Sequence, residues 1–147
     1  MVGAEFGVLI VTLGLCVKLG VMSTVLDRVT EYEKERGKPM PSFNHGVIQM
    51  KLGAEFLAHP DYMVGSEITL DLGESPNLTP DVLVFEKAEL DLRRDQIRTK
   101  KTPISIAEIL SPTQGSFELM QRLDRYFRHG VQSCWVVYPT SGSLTIY

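Results

Sequence analysis

Cysteine is nearly absent from this 147-residue chain: Cys16 and Cys134 are too few and too far apart for a disulfide framework or a structural zinc site. A reduced, cytoplasmic setting is therefore the default expectation. An excess of positive charge is missing too. Fifteen Lys and Arg stand against 18 Asp and Glu, a formal net charge of −3, which excludes a dedicated nucleic-acid coating protein. An enzyme that grips nucleic acid through one local basic patch is not excluded. There is no repeat and no low-complexity tract. Long apolar runs are also scarce. Phe6 to Val17 (FGVLIVTLGLCV) lies between Glu5 and Lys18 and falls short of the roughly 20 residues a spanning helix needs. A signal peptide would begin with positive charge, whereas the only early charge is Glu5. No stable membrane span is expected. Residues 1–21 read as an N-terminal extension outside the working domain, with an export signal or weak anchor as the alternative. Residues 22–147 read as that domain, truncated at its C-terminus because the chain stops at Tyr147 inside a strand pattern.

What is present is the patterning of a single core. Thr24 to Arg36 places Val25, Val29 and Tyr32 at helical spacing and ends before Gly37 and the Pro39–Pro41 break. A second helix, capped by Ser42 or Asn44, runs to about His59 before Pro60, with Val47, Ile48, Leu52, Phe56 and Leu57 as its buried stripe. The period then changes. Glu67 to Leu72 alternates as a half-buried strand does, and Asp81 to Phe85 and Ile104 to Leu110 are short aliphatic runs typical of central strands. Ser116 to His129 predicts a third helix with Phe117, Met120, Leu123 and Phe127 on its core face, and Gly130 at its C-terminal turn. Val131 to Tyr138 and Leu144 to Tyr147 complete an α-α-β-β-β-α-β-β order. That order implies an α+β or α/β fold in which a mixed β-sheet is flanked by helices.

Acidic residues inside the aliphatic strands are the chemical anomaly. Glu108 alternates in phase with Ile106 and Leu110, and a buried carboxylate must be paired, protonated or bound to a metal. Asp81 opens the preceding strand after Pro80. Were the two strands neighbours, the carboxylates would converge, and Mg²⁺ would relieve their repulsion. The bland reading is a strand-start Asp and a salt-bridged Glu. His45 and Gln49 share one helical face and could line a cleft, although a His at a helix start is more often a cap or surface residue. Arg93, Arg94, Arg98, Lys100 and Lys101 could grip a phosphate backbone beside the metal, or simply solvate a connecting loop. Cys134 lies mid-strand, and no nucleophilic triad is readable.

Three strings carry a resemblance. They are Thr79-Pro80-Asp81-Val82-Leu83-Val84-Phe85, Ile106-Ala107-Glu108-Ile109-Leu110-Ser111-Pro112-Thr113, and Tyr126 followed by Gly130-Val131-Gln132-Ser133-Cys134-Trp135-Val136-Val137. Together with Tyr32-Glu33, Arg36-Gly37-Lys38-Pro39-Met40-Pro41-Ser42 and Asn44-His45-Gly46, they resemble the Uma2 (DUF820) restriction-endonuclease family of the PD-(D/E)XK nuclease fold. The resemblance runs from about Thr24 to Tyr147. It implies a DNA endonuclease that uses Mg²⁺, or Mn²⁺ in its place, with a second copy of the chain as a candidate partner. Asp81 and Glu108 become the metal acids, the Ile109 carbonyl a further ligand, and Glu33 an acid from the first helix; the bland reading of Glu33 is a solvated helix face. The usual lysine position, two residues after the Glu, holds Leu110. Where this family moves the lysine to the following helix, the chain has Arg122, which cannot act as a general base. Arg122 either neutralises charge or is an exposed arginine paired with Glu118. A catalytically degenerate binder of nucleic acid or protein is the rival reading.

Overall fold

The computed structural model describes Glu31, Lys34 and residues 41–111 and 115–147. The chain divides into two units, Met1–Met40 and Pro41–Tyr147. Of the first, Glu31 and Lys34 are helical and form an exposed ion pair at 2.7 Å. The apolar run, the helix expected over 24–36, Glu33 and the 21/22 boundary otherwise lie outside the described residues.

The second unit begins with α1, Phe43–Leu57. Ser42 caps it, its hydroxyl accepting from the His45 amide at 3.3 Å, which satisfies one of the orphan N–H groups of the first turn. Five strands then form one mixed sheet: β1 Tyr62–Ser66, β3 Val82–Glu86, β5 Ser105–Ile109, β6 Ser133–Tyr138 and β7 Ser143–Ile146, neighbours in that order. Only β5 and β6 are parallel, so a crossover is required between them. That crossover is α2, Ser116–Arg128. Two short strands, β2 Thr69–Leu70 and β4 Arg98–Thr99, pair separately in parallel.

The main core lies between α2 and the sheet. Leu119, Leu123 and Tyr126 pack with Leu83, Phe85, Ile106, Cys134 and Val136. Trp135 sits between two members of that cluster in β6, so alternation turns it to the opposite face. There its ring meets Phe56 of α1 edge-on, with centroids 5.2 Å apart. One helix therefore covers each face of a mixed sheet, as the element order predicts.

Several expectations need correcting. The strand expected over Glu67–Leu72 is only Thr69–Leu70. The edge strand lies earlier, at Tyr62–Ser66, where Gly65 and Ser66 obscured the alternation, and Glu67 is a left-handed turn residue with φ 53°. On α1, Ile48, Leu52 and Phe56 are half-buried as expected, but Val47 and Leu57 are exposed. On α2 the predicted face is rotated. Phe117 is 75% exposed and Met120 and Phe127 are exposed as well. The buried stripe is instead Leu119, Leu123 and Tyr126 with the mostly buried Arg122, the i, i+3, i+4, i+7 face. Counting apolar residues chose wrongly between two stripes because it could not credit an arginine that turns inward to a carboxylate.

Truncation of Leu123 to Ala should therefore cost about 2–5 kcal/mol. Phe117→Ser should stay within about 0.5 kcal/mol. Urea unfolding of the two variants checks this, and a larger loss at Phe117 would restore the original face.

Candidate functional site

Pro80 has no N–H to contribute to the sheet and ends the β3–β5 ladder at Val82↔Ala107. One step further, Asp81 stands opposite Glu108. The Ile109 amide donates to Asp81 Oδ2 at 2.7 Å, so the carboxylate takes the place of a strand partner. The N–H and C=O of one strand residue point to the same side, which sets the Ile109 carbonyl on the edge occupied by Asp81. From α1, His45 places Nε2 3.2 Å from Asp81 Oδ1, and Gln49 Nε2 donates to the Asp81 carbonyl at 2.8 Å. The spacing of four that put His45 and Gln49 on one helical face thus delivers both to Asp81. His45 is buried, its Nδ1 has no hydrogen-bond partner, and the bond to Asp81 raises its pKa against the opposing effect of burial.

Glu108 is buried at 4% exposure. Two groups from α2 converge on its Oε1: the Arg122 Nη2 donor at 2.6 Å and the Tyr126 hydroxyl at 2.5 Å. Residues 122 and 126 are one helical turn apart, so one stripe supplies both. Desolvation pushes Glu108 up to about 7. Arg122 pulls in the opposite direction without cancelling it, and the charge of Asp81 adds to the rise. Burial by itself would lower the Arg122 pKa, yet its pairing with Glu108 leaves it raised, so it remains a fixed positive charge. Tyr126 is driven far above the usual phenol range by burial and by Glu108, and serves only as a donor to the carboxyl.

Asp81, Glu108, Ile109, Arg122, His45 and Gln49 are therefore brought together. Arg122 is not an exposed arginine paired with Glu118; its partner is Glu108. The basic cluster is less well placed. Lys101 bonds the Glu86 carbonyl at 3.2 Å and lies over Phe85, at the end of β3 far from Asp81, and the loop carrying Arg93 and Arg94 leaves from that end. Leu110 packs against the core. Burial pushes Cys134 up to about 12, which bars thiolate chemistry at neutral pH. Sequence reasoning gave no site role to Tyr126 or Glu67. Tyr126 entered the sequence reading only as part of the third string that carries the resemblance. Glu67 donates its amide to the Asp81 carbonyl at 3.3 Å, and its charge acts on His45; its left-handed turn had no signal in the chain.

Among the described residues no group of three or more His, Cys, Asp or Glu side chains forms a cation cage. Two carboxylates and a carbonyl nonetheless fit a hard cation such as Mg²⁺, which keeps several waters and takes one or two protein carboxylates. No described helix is long and apolar enough to cross a membrane.

A family model described as putative restriction endonuclease, Uma2, matches residues 33–147. The chain belongs to the Uma2 family. Among solved structures, it is similar to the crystal structure of a putative nuclease belonging to DUF820 from Anabaena variabilis ATCC 29413. The TM-score is 0.65 at 22% identity over 74% of this chain, which spans 64% of that protein's length. This likeness shows that the Uma2 chain shares the fold. No curated protein matches.

Glu108 gives a signed prediction. Its folded pKa of about 7 lies above that of an exposed glutamate, about 4.3. The stability it contributes is fully present below the unfolded value and lost as pH rises through about 7. Glu108→Gln, which cannot ionise, should therefore stabilise the metal-free protein at pH 8 by on the order of 3–4 kcal/mol. The gain should fade towards pH 4. Denaturant melts in EDTA across that range check it; a variant less stable than wild type at pH 8 reverses the sign.

Proposed function

We propose that this Uma2 member is a Mg²⁺-dependent endonuclease of the PD-(D/E)XK type that hydrolyses phosphodiester bonds in DNA in a cytoplasmic setting. The observation that carries the reading is the meeting of Asp81 and Glu108 across β3 and β5, with a buried guanidinium at the second carboxylate. Asp81, Glu108 and the Ile109 carbonyl would hold the cation. Bound there, Mg²⁺, or Mn²⁺ in its place, supplies a water of lowered pKa and charge stabilisation for the phosphoryl group.

The protein's own groups divide the remaining work. His45 and Gln49 fix Asp81 from its two polar ends, side chain and carbonyl, so the acid meets the cation in one orientation. Tyr126 holds the Glu108 carboxyl in place. Arg122 cannot take a proton from water, so its part is electrostatic: a fixed positive charge beside the carboxylates, where negative charge builds on the phosphoryl oxygens. The second reading is a degenerate nuclease fold that binds nucleic acid or a protein partner. Leu110 favours it, because it packs into the core where the usual motif has a lysine.

Incubating the purified chain with supercoiled plasmid and Mg²⁺ or Mn²⁺ tests the choice. Nicking should appear with either metal and fall at least about 100-fold in Asp81→Ala and Glu108→Ala, a loss of roughly 3 kcal/mol of transition-state stabilisation. Absence of nicking, or its survival in both variants, rejects the enzyme. Arg122→Lys should leave the rate within about threefold if the role is electrostatic. A gain of tenfold or more would reveal that a proton-transfer group had been missing.

A further inference from the structure

Beside the carboxylates, the Pro76–Thr79 segment and α2 enclose a cleft of about 460 Å³ that Arg122 also lines. The Arg122 guanidinium also holds Glu108. Thr79, two residues before Asp81, is another lining residue, and its carbonyl lies 3.5 Å from the same guanidinium. The volume falls within the range of small-ligand sites, about 300–1,000 Å³.

The cleft is built in advance. Arg125 Nη2 donates to the Pro76 carbonyl at 2.6 Å, and its Nε reaches Glu74 Oε2 at 3.1 Å. Arg128 and His129 meet the other oxygen of Glu74 at 3.3 and 3.2 Å. His129, aided by Arg125, holds the Glu74 carboxyl below the usual range despite its desolvation. On the inner side Leu70 N donates to the Leu78 carbonyl at 2.8 Å, and the Thr69 and Thr79 hydroxyls share a bond at 3.0 Å. The loop wall is thus tied to the helix on one side and to β2 on the other, and little ordering remains for a ligand to induce.

These same bonds engage the donors of the basic side chains without cancelling their charge. Arg125 and Arg128 are committed to Glu74, and Arg122 to Glu108. The lining offers a ligand the amides of Asn77 and Gln121, the Glu118 carboxylate, the Pro76 ring and the Arg122 and Arg125 side chains. That chemistry suits a nucleobase better than a phosphate. Amides pair a donor with an acceptor along a base edge, and flat side chains take a base face.

Resting on the nuclease reading of Asp81 and Glu108, we propose that this cleft seats the nucleotide next to the scissile phosphate, and that Asn77 and Gln121 read its base. The two residues set sequence preference and hold no metal.

The test uses the full chain with a pool of DNA duplexes carrying a randomised central stretch. The bound fraction is recovered in EDTA and sequenced, and cleavage of the same pool with Mg²⁺ is sequenced at the cut ends. Wild type should enrich one base at one position at least threefold in the bound fraction. The Asn77→Ala/Gln121→Ala variant should lose that enrichment while total binding changes less than threefold. Gln121→Glu, which exchanges an amide donor for an acceptor, should shift the preferred base. Wild type enriching no base, or the double variant keeping the wild-type preference, overturns the proposal. Base-selective binding without cleavage would keep the subsite and reject the nuclease. Cleavage without any selectivity that the double variant can remove would keep the nuclease and reject the subsite.

Discussion

Glu108 is a carboxylate set among Ile106, Ala107 and Ile109 in a central strand, a position where an unpaired charge would cost several kcal/mol. The pairing it receives from Arg122 and Tyr126 explains much of the second unit. It turns α2 so that Leu119, Leu123 and Tyr126 face the sheet while Phe117 is left in solvent. It also fixes the depth at which the crossover helix sits between β5 and β6, and draws Thr79 towards the same guanidinium. Truncating either partner would leave an uncompensated charge, so the ion pair constrains geometry more than it adds stability.

The second carboxylate is arranged on different terms. Asp81 lies where the ladder stops, and three elements reach it through polar bonds: β5 through the Ile109 amide, α1 through His45 and Gln49, and the β1–β2 turn through Glu67. One acid is thus sealed under a helix and the other held at the sheet's end. Burial under the helix pushes Glu108 up to about 7.

What the chain disclosed in advance follows the range of the forces involved. The central strands, the Ser42 cap and both described helices were legible because they rest on local periodicity and capping. The adjacency of Asp81 and Glu108 was only a condition on strand pairing, which the β3–β5 register meets. The edge strand β1 and the short pair β2–β4 were not legible, since Gly65, Ser66 and two-residue strands carry no period to read. The α2 face was misread for a deeper reason. Its choice was made by Glu108, a residue on another element, and sequence spacing cannot report which of two helical stripes will meet a buried acid. The spacing of His45 and Gln49 indicated a shared face, but only the fold could aim that face at Asp81.

By the resemblance, Arg122 stands where the family places a lysine. A buried lysine beside carboxylates has a pKa open to downward adjustment and can hand a proton on; a guanidinium cannot. At this site the titrating proton is carried by Glu108, between an arginine that stays charged and a tyrosine that stays protonated. A cation binding at Asp81 and Glu108 must compete with that proton. Near neutral pH, occupancy of the proposed cation site would therefore depend on the ionisation of one buried acid. Under the proposed function the labile proton sits on an acid that would hold the cation, so acidity should act first on cation binding and only then on chemistry.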